Sequence, residues 1–343
     1  MKFLMIFILL CVPLFAQEYK LGRGLSLYEG NDLELILGGH LSLQAQSDHP
    51  NNNDIQNSMG IENAGVMMYG SYTQYFSFLV EYGNEDLYRY QNSKSYSQGP
   101  EFRRFYADFH LYDALNIKLG RFLTPIGIYN PTYINALRWS NIRPLVAQEF
   151  FPDIITGAQV HGTIASSVSY TVFTQLQDDE EVSISHLPIS EFTGGELQYL
   201  FGTNSRLAIN YGKFRSDTFR EICTFGGANA LIELGENEFS TELLYKKGKW
   251  SNPEAKINWW NDFSWYTQYV QNIVEDHYLT FRVGQKIRKS ADVESWNESN
   301  GILGYVYRPN SALSYKVEYR HLERTGIKAY KTDEAHLSFS VLF

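Results

Sequence analysis

The last ten residues, EAHLSFSVLF (334–343), decide the fold. Counting back from the end, Phe343, Val341, Phe339, Leu337 and Ala335 fall on one face, and Ser340, Ser338, His336 and Glu334 fall on the other. That is the period of two of a strand with unlike faces. Chain ends usually fray, so a terminus this apolar and this regular needs a partner strand to hold it.

The same alternation recurs along the chain. In LILGGHLSLQAQ, Leu35, Leu37, Leu41, Leu43 and Ala45 oppose His40, Ser42 and Gln44. In RLAINYGK, Leu207, Ile209 and Tyr211 oppose Arg206 and Asn210, and in LSYKVEYR, Leu313, Tyr315, Val317 and Tyr319 oppose Ser314, Lys316, Glu318 and Arg320. Sixteen such segments run from 35–46 to 334–343, and helical periodicity is scarce. At about 20 residues for each strand with its connection, the spacing suits membrane strands of about 10 residues joined by loops.

The N-terminus narrows the class. Lys2 precedes fourteen uncharged residues, Phe3 to Ala16, followed by the polar run Gln17 to Lys20. This predicts a secretory signal peptide over 1–16, too short for a spanning helix, with the mature chain at 17–343. Cys223 is then the one remaining cysteine, so no internal disulfide is expected. A net charge of −9 gives no reason to expect nucleic acid as a partner.

A soluble sandwich would alternate in the same way, but its connections would not be sorted by length. Here long polar links, SDHPNNNDIQNSMG and NEDLYRYQNSKSYSQGP, alternate with short ones, DALN, GTNS, GENE and RPNS. Short turns at one end and long loops at the other is the arrangement of outer-membrane barrels. We therefore expect an all-β, 16-stranded antiparallel transmembrane β-barrel with short periplasmic turns, long external loops and outer-membrane lipid around it. Tyr72, Tyr75, Phe76, Phe109, Tyr112, Tyr199, Phe201, Trp259 and Trp260 fall near strand ends, where aromatic girdles meet the membrane interfaces. The last strand is expected to close the barrel on the first, leaving no edge. Phe343 is then expected at the periplasmic rim, as an assembly signal read by the outer-membrane assembly machinery.

The longest connection runs from Thr124 to Asp153, and loops of 30 residues are usually functional. Its approach, IKLGRFLTPIGIYNP (117–131), resembles the phosphate-selective porin O and P family, whose members carry a similar Gly-aromatic-Thr-Pro-Gly stretch at a strand end. The resemblance spans about 50 residues, Phe102 to Asp153. It implies a trimeric sixteen-stranded porin of the Gram-negative outer membrane, with 124–153 as the loop that folds inward and narrows the pore.

Between Glu101 and Ala147 six Lys or Arg stand against three acids. Basic groups at a narrow point favour anions. The expected constriction residues are Arg104, Asp108, His110 and Lys118 on strands, placed inward because a mid-membrane charge on the lipid side costs about 2–4 kcal/mol, with Arg138 and Arg143 on the loop. Arg121 falls in the lipid phase, so it is expected near a rim, snorkelling, or past a bulge. Elsewhere the inward phase is mixed: Glu81, Glu196, Glu242, Asp262 and Glu318 against Arg206, Lys246, Arg282, Lys316 and Arg320. This speaks against a phosphate-specific pore, and the plain reading of each charge is a wetted wall residue in a cross-strand pair. The histidines lack metal-ligand spacing, and no G-x-S-x-G, P-loop or C-x-x-C is present, so neither enzyme, cofactor nor metal is expected. The expected function is passive diffusion of small hydrophilic solutes and ions, with small anions modestly preferred. The rival is a structural or adhesive barrel without an open pore, marked by bulky inward residues that sixteen strands would enclose too much space to supply.

Overall fold

The computed structural model describes residues 18–51, 54–148, 150–178, 189–218, 220–250, 259–290, 295–326 and 328–343. The expected signal peptide lies outside them. Sixteen antiparallel strands form the wall, in the order β1 (Leu33–Pro50), β2 (Gln56–Tyr72), β3 (Phe76–Gln91), β4 (Glu101–Tyr112), β5 (Leu115–Leu123), β6 (Ile154–Ala165), β7 (Val168–Gln175), β8 (Glu191–Phe201), β9 (Ser205–Ser216), β10 (Glu221–Leu234), β11 (Asn237–Trp250), β12 (Trp259–Val274), β13 (His277–Ser290), β14 (Trp296–Asn310), β15 (Leu313–Gly326) and β16 (Tyr330–Leu342). All sixteen predicted segments are strands. Each pairs with its sequence neighbour, and β16 pairs with β1 from Thr332↔Pro50 to Leu342↔His40, so the barrel closes.

The burial pattern is that of a barrel in lipid. On β9, Leu207, Ile209 and Tyr211 are 47–61% exposed, while Ala208, Asn210 and Phe214, on the other face of the strand, are at most 8% exposed. Apolar groups point out and polar groups point in, the reverse of a soluble domain, because the outside is hydrocarbon. Most of the expected girdle lies on the outer face, with Tyr72, Tyr75, Phe109, Tyr112, Tyr199 and Trp259 exposed. Trp260 is a correction: it is buried and faces inward, its ring pressed on Gly248, where a Cβ would meet the indole at 2.2 Å.

Two links expected as long loops are largely strand. Residues 47–60 contribute Ser47–Pro50 to β1 and Gln56–Gly60 to β2, and residues 84–91 extend β3. Above the membrane both faces meet water, so the apolar alternation stops while backbone pairing continues. Gln44, Gln46 and Asp48 hydrogen-bond along one face there.

The closing seam is composite. Phe343 exchanges two backbone hydrogen bonds with Gly39, at 2.6 and 2.9 Å. β1 continues to Leu33, and the short strand Gly24–Glu29 takes over the ladder, with Leu25 opposite Leu37. Phe343 thus ends at the short-turn end beside the β14–β15 turn, where Leu342 N–H donates to Ala312 O at 2.8 Å, but within the wall on its β1 side. Gly24 has φ +107°, and a Cβ there would lie 2.5 Å from the Leu37 carbonyl, so the handover needs glycine.

Candidate pore constriction

Residues 124–153 join β5 to β6 and cross the interior of the barrel. The two ends are stapled: Thr124 N–H donates to Asp153 O at 2.8 Å, and Asn130 Nδ2 donates to the carbonyls of Thr124 (2.6 Å) and Asp153 (3.2 Å). Gly127, at φ +79°, turns the chain inward, and a Cβ there would lie 2.0 Å from Glu242 Oε1.

Apart from two short 3-10 turns, Asn135–Leu137 and Leu145–Ala147, the described residues of the loop have no regular structure of their own. Its backbone polar groups must be satisfied by something else. Carboxylates of the wall accept its N–H groups: Glu196 on β8 from Gly127 at 2.8 Å, Glu242 on β11 from Ile128 at 2.8 Å and Tyr129 at 3.4 Å, and Glu318 on β15 from Asn141 at 3.0 Å. Cations of the wall donate to its carbonyls: Lys316 to Asn135 at 2.6 Å, Lys286 to Gln148 at 3.0 Å, Arg282 to Ile142 and Arg308 to Arg138. Six of these seven wall residues, Glu196, Glu242, Glu318, Arg282, Lys286 and Lys316, are at most 6% exposed. The plain reading of inward charges as wetted cross-strand pairs is therefore corrected for Glu196, Glu242, Glu318, Arg282 and Lys316: they clamp a loop. Cross-strand pairing does hold for Arg320 with Glu334 (2.5 Å) and Arg104 with Glu81.

The predicted constriction residues fall into two groups. Arg104, Asp108, His110 and Lys118 share the β4–β5 wall. Arg104 pairs with Glu81, which also hydrogen-bonds His40 Nε2 at 2.9 Å, and Tyr133 of the loop reaches the same His40 nitrogen at 3.0 Å. Asp108 bonds His161 Nε2 at 3.0 Å and faces Lys118 Nζ at 3.3 Å, while His110 Nε2 lies 3.1 Å from Ser77 Oγ. The loop arginines are held differently. Arg138 is buried over the Tyr129 ring (4.1 Å) and donates to Thr132 O and to Asn135 Oδ1 at 3.1 Å, so it folds the loop. Arg143 pairs with Asp153 at 2.6 Å and lies 3.7 Å from Glu85. Burial lowers the Arg138 pKa below its ordinary value; burial acts the same way on Arg143, but Asp153 and Glu85 outweigh it and raise that group. Both guanidinium groups stay charged.

Sequence phase missed Arg103. A bulge between β3 and β4 puts Glu81 opposite Arg104 and Tyr82 opposite Phe102, leaving Arg103 as the extra residue. It is 2% exposed, donates to Glu85 at 2.8 Å and lies 4.5 Å over the Tyr133 ring. Arg121 lies two residues before the end of β5, next to Gly120 at φ +126°, and donates to Thr156 Oγ1 at 3.2 Å.

A second missed feature is apolar. Phe173, Phe192, Phe214 and Phe225 point inward from β7 to β10 and pack with Ile126, Val146, Phe150 and Phe151 of the loop, Leu244 and Trp260. The rings rest on glycines of neighbouring strands: a Cβ on Gly194 would lie 2.7 Å from Phe173, and one on Gly212 would lie 2.5 Å from Phe225. This wedge fills one side of the interior toward the loop end. Bulky inward residues, the expected mark of a closed barrel, are thus present on that side. On the other side, inward Tyr69 is 39% exposed, and the side chains of Lys118 and His161 are 18% and 23% exposed.

A scan against protein-family models finds no match, and a search of curated proteins finds no relative. Solved structures do match. In-vitro folded OmpT of Vibrio cholerae in its trimer form superposes with a TM-score of 0.66 at 10% identity over 90% of this chain and 99% of that one. The anion-selective porin of Comamonas acidovorans gives 0.66 at 11% identity over 91% and 100%. The outer-membrane channel DcaP of Acinetobacter baumannii gives 0.61 at 10% identity over 94% and 100%. With these likenesses and its apolar exterior, the chain has the sixteen-stranded β-barrel fold that these outer-membrane channels share.

Proposed function

We propose that the protein is a water-filled channel for passive diffusion of small hydrophilic solutes and ions, narrowed by residues 124–153. The observation that carries this reading is the asymmetry of the interior. The loop and the aromatic wedge occupy one side, while polar inward groups on the other, Tyr69, His110, Lys118 and His161 among them, keep contact with water.

Selectivity follows from the charges beside that path. Arg103, Arg104, Lys118, Arg138 and Arg143 stand against Glu62, Glu81, Glu85, Asp108 and Asp153, five against five. The excess of bases over 101–147 is thus offset by acids from neighbouring strands, so the preference for anions is small. The TPIG stretch at 124–127 supports a place near the phosphate-selective porin O and P family, but paired interior cations do not support phosphate selectivity. We assign a homotrimer, on the likeness to the trimer form of OmpT.

The test is a planar-bilayer recording with the purified protein. Conductance steps with a small positive anion preference in a salt gradient are expected, and absence of steps would sink the channel. The second reading, a barrel without an open pore, is favoured by the aromatic wedge and is the one that a silent bilayer would leave standing.

A further inference from the structure

Four lysines on the outer face form a band that the pore does not use. Three of them, on β9, β11 and β13, lie in one lateral row: Lys213 is opposite Thr224, Thr224 opposite Lys247, Lys247 opposite Asn261, and Asn261 opposite Lys289. Lys249 stands two residues further toward the loops, in the row Arg215, Ile222, Lys249, Trp259. The buried neighbours Phe214, Phe225, Lys246 and Trp260 face inward, so the four lysines face out, and all four are exposed. None of them has an ion pair among the described residues; Arg215, by contrast, pairs with Asp217 at 2.6 Å and Glu191 at 3.5 Å.

The row one step toward the membrane is Tyr211, Gly226, Tyr245, Phe263, Ile287, and the next is Ile209, Ala228, Leu243, Trp265. Aromatics followed by aliphatics mark the passage from interface to hydrocarbon. The lysines therefore stand at headgroup depth at the loop end. Alternate strands lie about 10 Å apart, so the row spans roughly 20 Å, with Lys249 about 7 Å above it. Outward charges on β15 and β16 are mixed instead: His321 bonds Asp333 at 2.6 Å, and Glu323 is opposite Lys331.

We propose that this band binds the headgroup of an outer-leaflet lipid carrying more than one phosphate. Four unpaired ammonium groups above an aromatic row complement a diffuse anionic headgroup, and they are spread too widely for one phosphate to satisfy. The acyl chains would lie on Ile209, Ala228 and Leu243 below.

The test uses the full barrel in detergent and native mass spectrometry, with diphosphoryl lipid A, monophosphoryl lipid A and phosphatidylcholine as probes. Retention is expected to fall in that order. Lys247→Gln or Lys289→Gln alone should weaken diphosphoryl lipid binding by about fivefold, the worth of one cation near an anionic surface. The quadruple variant at 213, 247, 249 and 289 should reduce diphosphoryl lipid to the level of phosphatidylcholine. Lys331→Gln is the control and should change nothing. Equal retention of all three lipids, unchanged binding by the quadruple variant, or equal loss in Lys331→Gln would each overturn the proposal. Bilayer conductance of the same variants separates this surface from the channel reading, since the band lies outside the barrel and conductance should persist.

Discussion

Glu242→Ala should loosen the loop at 124–153 without unfolding the barrel. The carboxylate, on a residue 6% exposed, accepts the Ile128 N–H at 2.8 Å and the Tyr129 N–H at 3.4 Å. A hydrogen bond to a charged acceptor contributes about 1.5–3 kcal/mol, and the longer bond adds little. Removal then costs the docked loop about 2–3 kcal/mol, which raises its opening equilibrium about 30- to 140-fold at 1.4 kcal/mol per tenfold. Glu196, Glu318, Arg282, Lys286, Arg308 and Lys316 still hold other parts of the loop, so opening should be confined to the stretch around Ile128. Two measurements read it. Hydrogen exchange at the Ile128 and Tyr129 amides should quicken by about that factor, and single-channel current should gain substates. Glu242→Gln keeps one acceptor oxygen and should fall between wild type and alanine. Wild-type exchange and a quiet current in a correctly assembled Glu242→Ala barrel would refute the clamp.

Gly212→Ala places a methyl 2.5 Å from the Phe225 ring and 3.3 Å from that of Phe192. Overpacking of this kind costs about 1–3 kcal/mol, so the barrel should lose its compact gel mobility at a lower temperature; an unchanged transition would mean that the wedge is loosely packed. Deleting Phe343 removes two backbone bonds to Gly39 at the seam and is expected to reduce the heat-modifiable barrel recovered from membranes, whereas normal recovery would remove its assembly role.

Much of the wall was legible because lipid enforces period two. Leu207, Ile209 and Tyr211 must face hydrocarbon, and a one-residue slip would put Asn210 there instead. Strand length was less legible, because above the membrane Gln44, Gln46 and Asp48 alternate with residues that also meet water. The length of 124–153 pointed to a loop with a place of its own, and it does cross the interior, while Arg104, Asp108 and Lys118 do share one wall. Arg103 was hidden by a bulge, which shifts phase without leaving a mark in composition. Arg138 was read as a pore charge, but nothing in its neighbours along the chain says that Tyr129, Thr132 and Asn135 fold around it. The aromatic wedge did carry a signal: Phe192 and Phe225 break the polar inward phase, and each is followed two residues later by glycine, at 194 and 227. Ring contacts run to glycines across the ladder, such as Phe225 on Gly212, so pairing register was needed to see them.

The clamp and the proposed weak selectivity have one physical origin. A loop crossing a barrel interior brings N–H and C=O groups that no ladder satisfies, and leaving them buried without partners costs about 1–3 kcal/mol each. Neutral side chains of the wall could supply partners, but charged ones make stronger and longer-reaching bonds. Carboxylates then have to serve the N–H groups and cations the carbonyls, so a loop with both kinds of orphan recruits both signs of charge. Glu196, Glu242 and Glu318 on one count and Arg282, Lys286, Arg308 and Lys316 on the other meet that requirement. Charges engaged in this way are shielded from a passing ion by the loop itself. The field that an ion meets comes mainly from the remaining pairs, such as Lys118 with Asp108, where opposite signs stand 3.3 Å apart and largely cancel. A barrel of this design can have many interior charges and still discriminate little between anions and cations.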